Sequence, residues 1–281
     1  MKRICEVLDV SRSNLYEQVQ KKPGTCKTRV MPQDGELLPV IRQITDDRPT
    51  YGYRRVTALL RKTLSQAINP KRVYRLMRQH NLLLQKHGKR PMRVHDGKII
   101  TLKSNRRWCS DHFSIQCWNG EQVHVAFVLD CHDREVISWM ASNKGVDGEM
   151  IRDLMTDCLE KRFSFQRKRP HKLQWLSDNG PAYVARKTIE FGRSLGFEMC
   201  TTAPYSPESN GMAEALVKTI KRDYVYVSDL RSADWVLDQL PKWFEDYNNH
   251  APHKGLKMLS PREYYRSSNE DLDRGRCNLM S

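Results

Sequence analysis

Apolar residues recur every three to four positions up to about residue 80, and from residue 107 they alternate with polar ones every second position. The first spacing predicts helices and the second predicts strands. Strand-like runs cover Arg107 to Cys117, Val123 to Leu129 and Val136 to Met140, with turn signals at Asn119-Gly120 and across Asp130 to Arg134. Helical and strand patterns then alternate: a helix over Gly148 to Arg162, a strand over Leu173 to Ser177, a helix over Ala182 to Leu195, a strand over Phe197 to Thr202 and a helix over Gly211 to Tyr224, with Asn210 as its N-cap. Three consecutive strands followed by helix–strand alternation predict a mixed five-stranded α/β sheet with flanking helices, in the order of a ribonuclease H-like fold. Residues 232 to 266 predict helical structure kinked at Pro241, then a short helix capped by Ser260.

The front of the chain predicts small all-α modules. Ile4, Val7, Leu8, Val10, Leu15 and Val19 fall on two short helices broken at Asp9-Val10-Ser11, the rhythm of a helix-turn-helix. Residues 20 to 34 read as a linker. Leu37, Leu38, Ile41 and Ile44 predict a helix over Glu36 to Asp46, with Pro39 either kinking it or in its first turn. Tyr51 to Val56 lead into Leu59-Leu60, and Asn69-Pro70 opens a further helix through Arg78 with the asparagine as N-cap and proline at the first helical position. The predicted organisation is a partial helix-turn-helix over 1–22, a basic helix-turn-helix-like domain over 35–85, a basic linker over 86–100, a ribonuclease H-like α/β core over 101–228 and a C-terminal helical segment over 229–281.

Charge adds a partner to this outline. The 281 residues carry a net charge of +15, and residues 51–100 hold thirteen Lys and Arg against the single acid Asp96. So concentrated an excess fits a polyanion-binding module, with nucleic acid as the favoured partner. On the Asn69-capped helix, Val73, Leu76 and Met77 share one face while Lys71, Arg72, Arg75 and Arg78 spread over the other. Such a helix has an apolar seat and a basic outer face suited to phosphates; an ordinary amphipathic surface helix explains the spacing but not the scarcity of acids. Eight cysteines without a Cys-x-x-Cys pair, no apolar run long enough for a bilayer and no signal-peptide core predict a soluble protein of a reducing, cytoplasmic compartment.

The candidate chemistry is acidic. Asp178 follows the strand-like Leu173 to Ser177, Glu214 lies on a predicted helix with thirty-five residues between the two acids, and Asp111 falls within the first strand. Three carboxylates converging from different elements suit a pair of divalent metals acting on phosphodiesters. Each has a plainer reading. Asp178-Asn179-Gly180 is a turn signal, and Glu214 with Lys218 and Lys221 on its helical face makes an ordinary salt-bridge stripe. Asp130 and Asp133 compete with Asp111, but both fall in a turn, where aspartate normally serves the backbone. His250 and His253 have ligand-like spacing around Pro252, yet no cysteine lies near, which favours a structural role.

Taken together, Asp111, Asp178 and Glu214, with Lys221 seven residues after the glutamate, and the phrases Ser177-Asp178-Asn179-Gly180 and Ser206-Pro207-Glu208-Ser209-Asn210-Gly211-Met212-Ala213-Glu214 resemble the DDE transposases of the retroviral-integrase superfamily. More narrowly, the chain resembles the second-reading-frame product of the copy-out, paste-in insertion sequences of bacteria. Tyr51-Gly52-Tyr53-Arg54-Arg55-Val56 and Lys71 to Met77 are similar to that family's helix-turn-helix region. Tyr247-Asn248, Pro252-His253 and Ser260-Pro261-Arg262-Glu263-Tyr264 are similar to its C-terminal signature; Ala251 departs from the basic residue that many relatives carry.

The resemblance implies a polynucleotidyl transferase that binds the element's ends and performs strand cleavage and strand transfer, with Asp111, Asp178 and Glu214 as catalytic residues and metal ligands. It implies two Mg²⁺ or Mn²⁺ ions roughly 3.5–4 Å apart, no structural zinc, and phosphate contacts from Arg54, Arg55, Lys71, Arg72, Arg75, Arg78, Lys218, Lys221 and Arg222. The implied partners are double-stranded DNA, as element ends and as target, further copies of the chain in a homo-oligomer on that DNA, and an upstream-frame product or fusion to which the first twenty residues would be the junction. A nucleoid-associated cytoplasmic location and no membrane contact are implied as well. A ribonuclease H-like nuclease without strand transfer shares the acids, and a catalytically inactive DNA-binding regulator shares the helical modules. The basic modules argue against the first and the three intact acids against the second.

Overall fold

Five strands form one sheet in the order β3-β2-β1-β4-β5, and the sheet's two faces carry separate apolar cores. This is a computed structural model, and it describes residues 34–85, 101–164, 172–202 and 210–268. The expected helix pair over 1–22, the linker over 86–100 and the stretch 203–209, which holds Ser206 to Ser209 of the acidic motif, lie outside the described residues. The strands are β1 (Arg107–Gln116), β2 (Gln122–Asp130), β3 (Val136–Ser142), β4 (Leu173–Ser177) and β5 (Phe197–Thr201). β1 pairs antiparallel with β2, and β2 with β3; β4 lies parallel to both β1 and β5. This is the mixed sheet expected of the ribonuclease H-like order.

The hairpin between β1 and β2 turns where Asn119-Gly120 predicts it. Gly120 has φ +89°, a left-handed conformation that glycine adopts without the Cβ clash other residues meet. Odd-numbered residues of β1 face one core and even-numbered residues the other, the period of two that a strand imposes. Cys109, Phe113 and Ile115 pack with Phe127, Leu216, Ile220, Val236 and Phe244, whereas Trp108 packs with Val128, Ile151, Leu154, Met155 and Trp175. Each large side chain withdrawn from water in this way contributes about 1.5–3 kcal/mol.

Helices cover both faces. On one lie α4 (Gly148–Phe163), α5 (Pro181–Val184) and α6 (Arg186–Ser194); on the other lie α7 (Gly211–Asp223) and α8 (Ala233–Asn249). The helix expected over Ala182 to Leu195 is in fact two, because Ala185 has extended backbone (φ −55°, ψ 131°) between α5 and α6. α6 approaches β5 closely at Gly192, where a Cβ would stand 2.5 Å from the Met199 sulfur. α8 runs unbroken through Pro241. Near its end the Asn248 side chain accepts from the Val136 amide and donates to the Val136 carbonyl, each at 2.9 Å, which ties the helix to the start of β3. Residues 261–268 are helical, and Ser260 and Glu263 form a reciprocal capping box. The Ser260 amide and hydroxyl donate to Glu263 Oε2 at 3.0 and 2.9 Å, and the Glu263 amide donates back to Ser260 Oγ at 3.4 Å.

The helical front comprises α1 (Asp34–Asp47), α2 (Tyr53–Leu64) and α3 (Pro70–Gln79). Pro39 lies inside α1 rather than in its first turn, and the chain divides there into two units, one ending at Pro39 and the other beginning at Val40. All five strands and the helices α2 to α8 belong to the second unit. α2 ends at Ser65, whose φ of 50° is left-handed, and α3 begins as the sequence predicts: Asn69 accepts from the Lys71 amide at 2.9 Å and Pro70 takes the first position. Val56 and Leu60 of α2 and Val73, Leu76 and Met77 of α3 are buried. Among the described residues no helix is long and apolar enough to cross a membrane.

Candidate active site

β1 and β4 run parallel at the centre of the sheet, but their pairing stops at Cys109 opposite Leu176, while β1 continues to Gln116. Beyond Cys109 the edge of β1 that faces β4 therefore has no β4 partner. From β1 the chain proceeds outward through β2 and β3, returns over α4, and builds β4 and β5 on the other side. The crevice at such a reversal of strand order, beyond the carboxyl ends of parallel strands, is where α/β sheets bind ligands.

Asp111 and Asp178 meet at this crevice. One oxygen of each and a ring nitrogen of His112 all lie within 4.8 Å of one another, a donor set that can hold a metal ion. Asp178 directly follows β4, and its Oδ1 accepts from the Gly180 amide at 3.0 Å. The turn reading and the site reading of Asp178 thus describe one arrangement: the Asx-type turn aims the carboxylate. Asp111 Oδ1 accepts from the amide of His112 at 2.7 Å, and its Oδ2 from Asn210 Nδ2 at 3.4 Å. Burial pushes the Asp111 carboxyl above its ordinary value, the negative charges of Asp178 and Glu214 push it further, and the His112 amide opposes them.

Glu214 lies on α7 and is not part of the three-residue cluster. Its carboxylate pairs with Lys218 Nζ at 3.0 Å, one turn along the helix. Asn210 is the residue before α7, but its side chain makes no capping bond. It turns instead to Asp111, and its Oδ1 is buried with no hydrogen-bond partner among the described residues. Asp130 and Asp133 do serve the backbone, as their turn predicts. Asp130 accepts from the amides of Asn105 and His132, and Asp133 accepts from the Glu135 amide while pairing with Arg162 at 3.0 Å.

Two features of the crevice are not signalled by the sequence pattern. His112 neighbours Asp111 in a strand, and alternation assigns adjacent side chains to opposite faces; they approach each other where β1 has run beyond its pairing with β4. Tyr183 lies behind them on α5, buried, with its hydroxyl 3.1 Å from Ser110 Oγ and its ring centroid 6.3 Å from that of His112. An isolated Tyr183 in a helical pattern carries no sign of that position.

The basic candidates divide by what holds them. Arg54, Lys71 and Arg78 are exposed, and Arg72 and Arg75 are partly buried. Arg55 is bonded to Asp223 at 2.7 Å and stacks over the Tyr51 ring, 3.5 Å from its centroid. Arg222 bonds the same aspartate through both Nε and Nη2. Lys221 lies 5.8 Å from the centre of the Phe113 ring.

Residues 102–207 match the integrase core domain, residues 195–261 match it again, and residues 32–90 match an HTH-like domain. The transposase InsD for insertion element IS2A/D/F/H/I/K of Escherichia coli is 43% identical over 271 residues, covering 94% of this chain and 90% of that relative. The chain belongs to the insertion-sequence transposases that carry an integrase core. The insertion element IS2A uncharacterized 48.2 kDa protein of Escherichia coli is also 43% identical, over 99% of this chain, but the chain spans only 66% of its length. Among solved structures, a chain of the simian T-cell lymphotropic virus intasome in complex with PP2A regulatory subunit B56 gamma has the same fold. It has a TM-score of 0.50 and 16% identity, over 80% of this chain and 74% of that one. The crevice of this transposase accordingly lies within the integrase core match, and α2 and α3 lie within the HTH-like match.

Proposed function

We propose that this transposase cuts and joins DNA strands at the ends of its element, with Asp111, Asp178 and Glu214 as its catalytic acids. The convergence of Asp111 and Asp178 on one crevice carries this reading. Both are oxygen donors of the kind that Mg²⁺ and Mn²⁺ prefer, and the Asp111 carboxyl, raised by burial first and then by the charges of Asp178 and Glu214, marks a place where a bound cation would stabilise the ionised acids. A pair of such ions, when bound, supplies Lewis acidity at the scissile phosphate. Asp111 is held by Asn210 and the His112 amide, and Asp178 by its own turn, so both carboxylates are oriented before DNA arrives. Glu214 completes the set by leaving Lys218, a change of side-chain conformation that frees the lysine for a phosphate. No residue needs to form a covalent bond to DNA.

The exposed cations Arg54, Lys71 and Arg78, together with Arg72, Arg75, Lys218 and Lys221, are proposed to track the phosphate backbone. Arg55 and Arg222 join them only by exchanging Asp223 for phosphate. Assembly as a homo-oligomer on paired ends, and fusion to an upstream-frame product, belong to the same proposal; the 48.2 kDa relative, of which this chain spans 66%, supports the second.

The test uses oligonucleotides that carry the element's ends, with Mg²⁺ present. Asp111→Asn, Asp178→Asn and Glu214→Gln are each expected to abolish cleavage and joining while leaving end binding intact. Retention of either activity in any of the three removes that acid from the proposal. Cleavage without joining in the unaltered protein would favour a simple nuclease.

A further inference from the structure

The nitrogen donor beside the two acids is unlike an all-carboxylate site. His112 is an exposed residue of β1, its ring centroid 6.3 Å from that of the buried Tyr183 and the two planes tilted by 35°, with a ring nitrogen within 4.8 Å of a carboxylate oxygen of both Asp111 and Asp178. Ligand atoms around one ion, each about 2.1 Å from it, lie roughly 3–4 Å apart. Small side-chain rotations therefore bring all three onto one cation. The approach has a structural cause: β4 ends at Ser177, the edge of β1 has no β4 partner from Ser110 onward, and the Asp111 carboxylate bends back onto the His112 amide. Neighbours that alternation would separate by the thickness of the sheet thus border one opening.

We propose that His112 supplies a nitrogen ligand to the divalent cation held by Asp111 and Asp178, making the site a mixed nitrogen–oxygen centre. This rests on the reading that those two acids hold a cation. Its consequence is selectivity. Imidazole favours Mn²⁺, Co²⁺ and Zn²⁺ over Mg²⁺, which takes oxygen ligands and gives up its waters reluctantly. The site therefore gains affinity for the transition ions from His112 and gains much less for Mg²⁺. The ring also occupies a coordination position that water would otherwise fill, on the side of the crevice lined by Tyr183.

The experiment is Mn²⁺ binding to the full chain without DNA, followed by electron paramagnetic resonance. The free-ion signal reports affinity, and pulsed spectra report ¹⁴N coupling from a directly bound imidazole. The unaltered protein is expected to bind Mn²⁺ with ¹⁴N coupling, and His112→Ala to lose the coupling and to weaken Mn²⁺ by at least about tenfold, the lower end of what losing even an outer partner of a ligand costs. Mg²⁺ affinity, measured by competition, is expected to change less. His112→Asn, closer in shape, controls for folding and is expected to lose the coupling too. Mn²⁺ bound without ¹⁴N coupling, or coupling that survives both substitutions, overturns the His112 assignment and leaves the two acids in place. Mn²⁺ that fails to bind the unaltered protein, or binds equally well to Asp178→Asn, overturns the acid reading itself.

Discussion

Arg55 Nη1 bonds Asp223 Oδ2 at 2.7 Å across 168 positions of sequence, fastening α2 to the end of α7, the helix that carries Glu214. The Asp223 side chain is 1% exposed and also accepts from Thr50 and Arg222. Arg48 and Tyr224 bond Asp246 of α8 in the same region. The HTH-like helices are therefore held to the integrase core through the buried carboxylate of Asp223 and the half-buried one of Asp246.

Removing one partner of a buried pair leaves the other charge stranded, which costs about 3 kcal/mol or more. Asp223→Ala is therefore expected to lower the unfolding free energy by about 3 kcal/mol, less any relief from the partial exposure of Arg55 and Arg222. Urea unfolding followed by circular dichroism measures it. Arg55→Met, which keeps the packing over Tyr51, is expected to cost less than Asp223→Ala; the reverse order would show that Asp223 is not the hub of this contact.

Asp111 has the opposite relation to stability. Its carboxyl is held above its ordinary value by burial and by the charges of Asp178 and Glu214, so the ionised form present at neutral pH is a cost to the folded state. Asp111→Asn retains an oxygen for the His112 amide and removes that charge. It is expected to raise the unfolding free energy by about 0.5–1 kcal/mol while abolishing strand cleavage, the trade between stability and activity that functional sites show. A lower unfolding midpoint would mean that Asp111 stabilises the fold.

Much of this was legible in the sequence because it depended on local pattern. The period of two, Asn119-Gly120 and Asn69-Pro70 locate the strands, the hairpin and α3 without reference to the rest of the molecule. Asp111 stands out because a carboxylate within an apolar strand needs a reason. What pattern could not carry was the ending of one element beside another. That β4 stops at Ser177 beside a β1 that runs on is a matter of register, and it brings His112 next to the acids. The same holds for Asn210, whose sequence position suggests a cap and whose side chain finds Asp111 instead. Arg55 and Arg222 read as phosphate contacts because Asp223, their shared partner, is remote from Arg55 in sequence. Ser260 caps its helix as the sequence predicts, whereas Asn248 reads only as a motif residue and the structure gives it mechanical work, binding the backbone of Val136.

His253 makes stability depend on pH. Its ring packs edge-on against Tyr247 at 4.9 Å, and burial, with Arg55 and Arg134 nearby, pushes its pKa down to about 3 from 6.5. The unfolded chain takes up a proton below pH 6.5 and the folded chain does not, so acid favours unfolding. The contribution is fully present above pH 6.5 and is lost as the pH falls toward about 3, at a slope approaching 1.4 kcal/mol per pH unit. Unfolding free energies measured from pH 7 down to pH 4 should show this slope, and His253→Asn should flatten it. An equal slope in the variant would assign the acid sensitivity to other groups.

Asn210 tests how far the acids depend on their support. Its Nδ2 lies 3.4 Å from Asp111 Oδ2, and the residue immediately precedes α7, so one side chain links the strand that carries Asp111 to the helix that carries Glu214. Loss of an outer partner that orients a metal ligand costs about 10- to 100-fold in affinity or activity. Asn210→Ala is expected to reduce strand cleavage within that range and to change stability little, since the bond is long and the Oδ1 atom already lacks a partner among the described residues. Asn210→Asp preserves the shape but sets a further negative charge beside the Asp111–Asp178 pair. It repels the ionised acids and gives Asp111 no donor, so it is expected to cleave less well than Asn210→Ala despite the smaller change in volume. Raising the Mn²⁺ concentration should recover more activity in Asn210→Asp than in Asn210→Ala, because added cation offsets charge but not a missing bond. Equal activity in the two variants would mean that Asn210 acts only as a spacer at the start of α7.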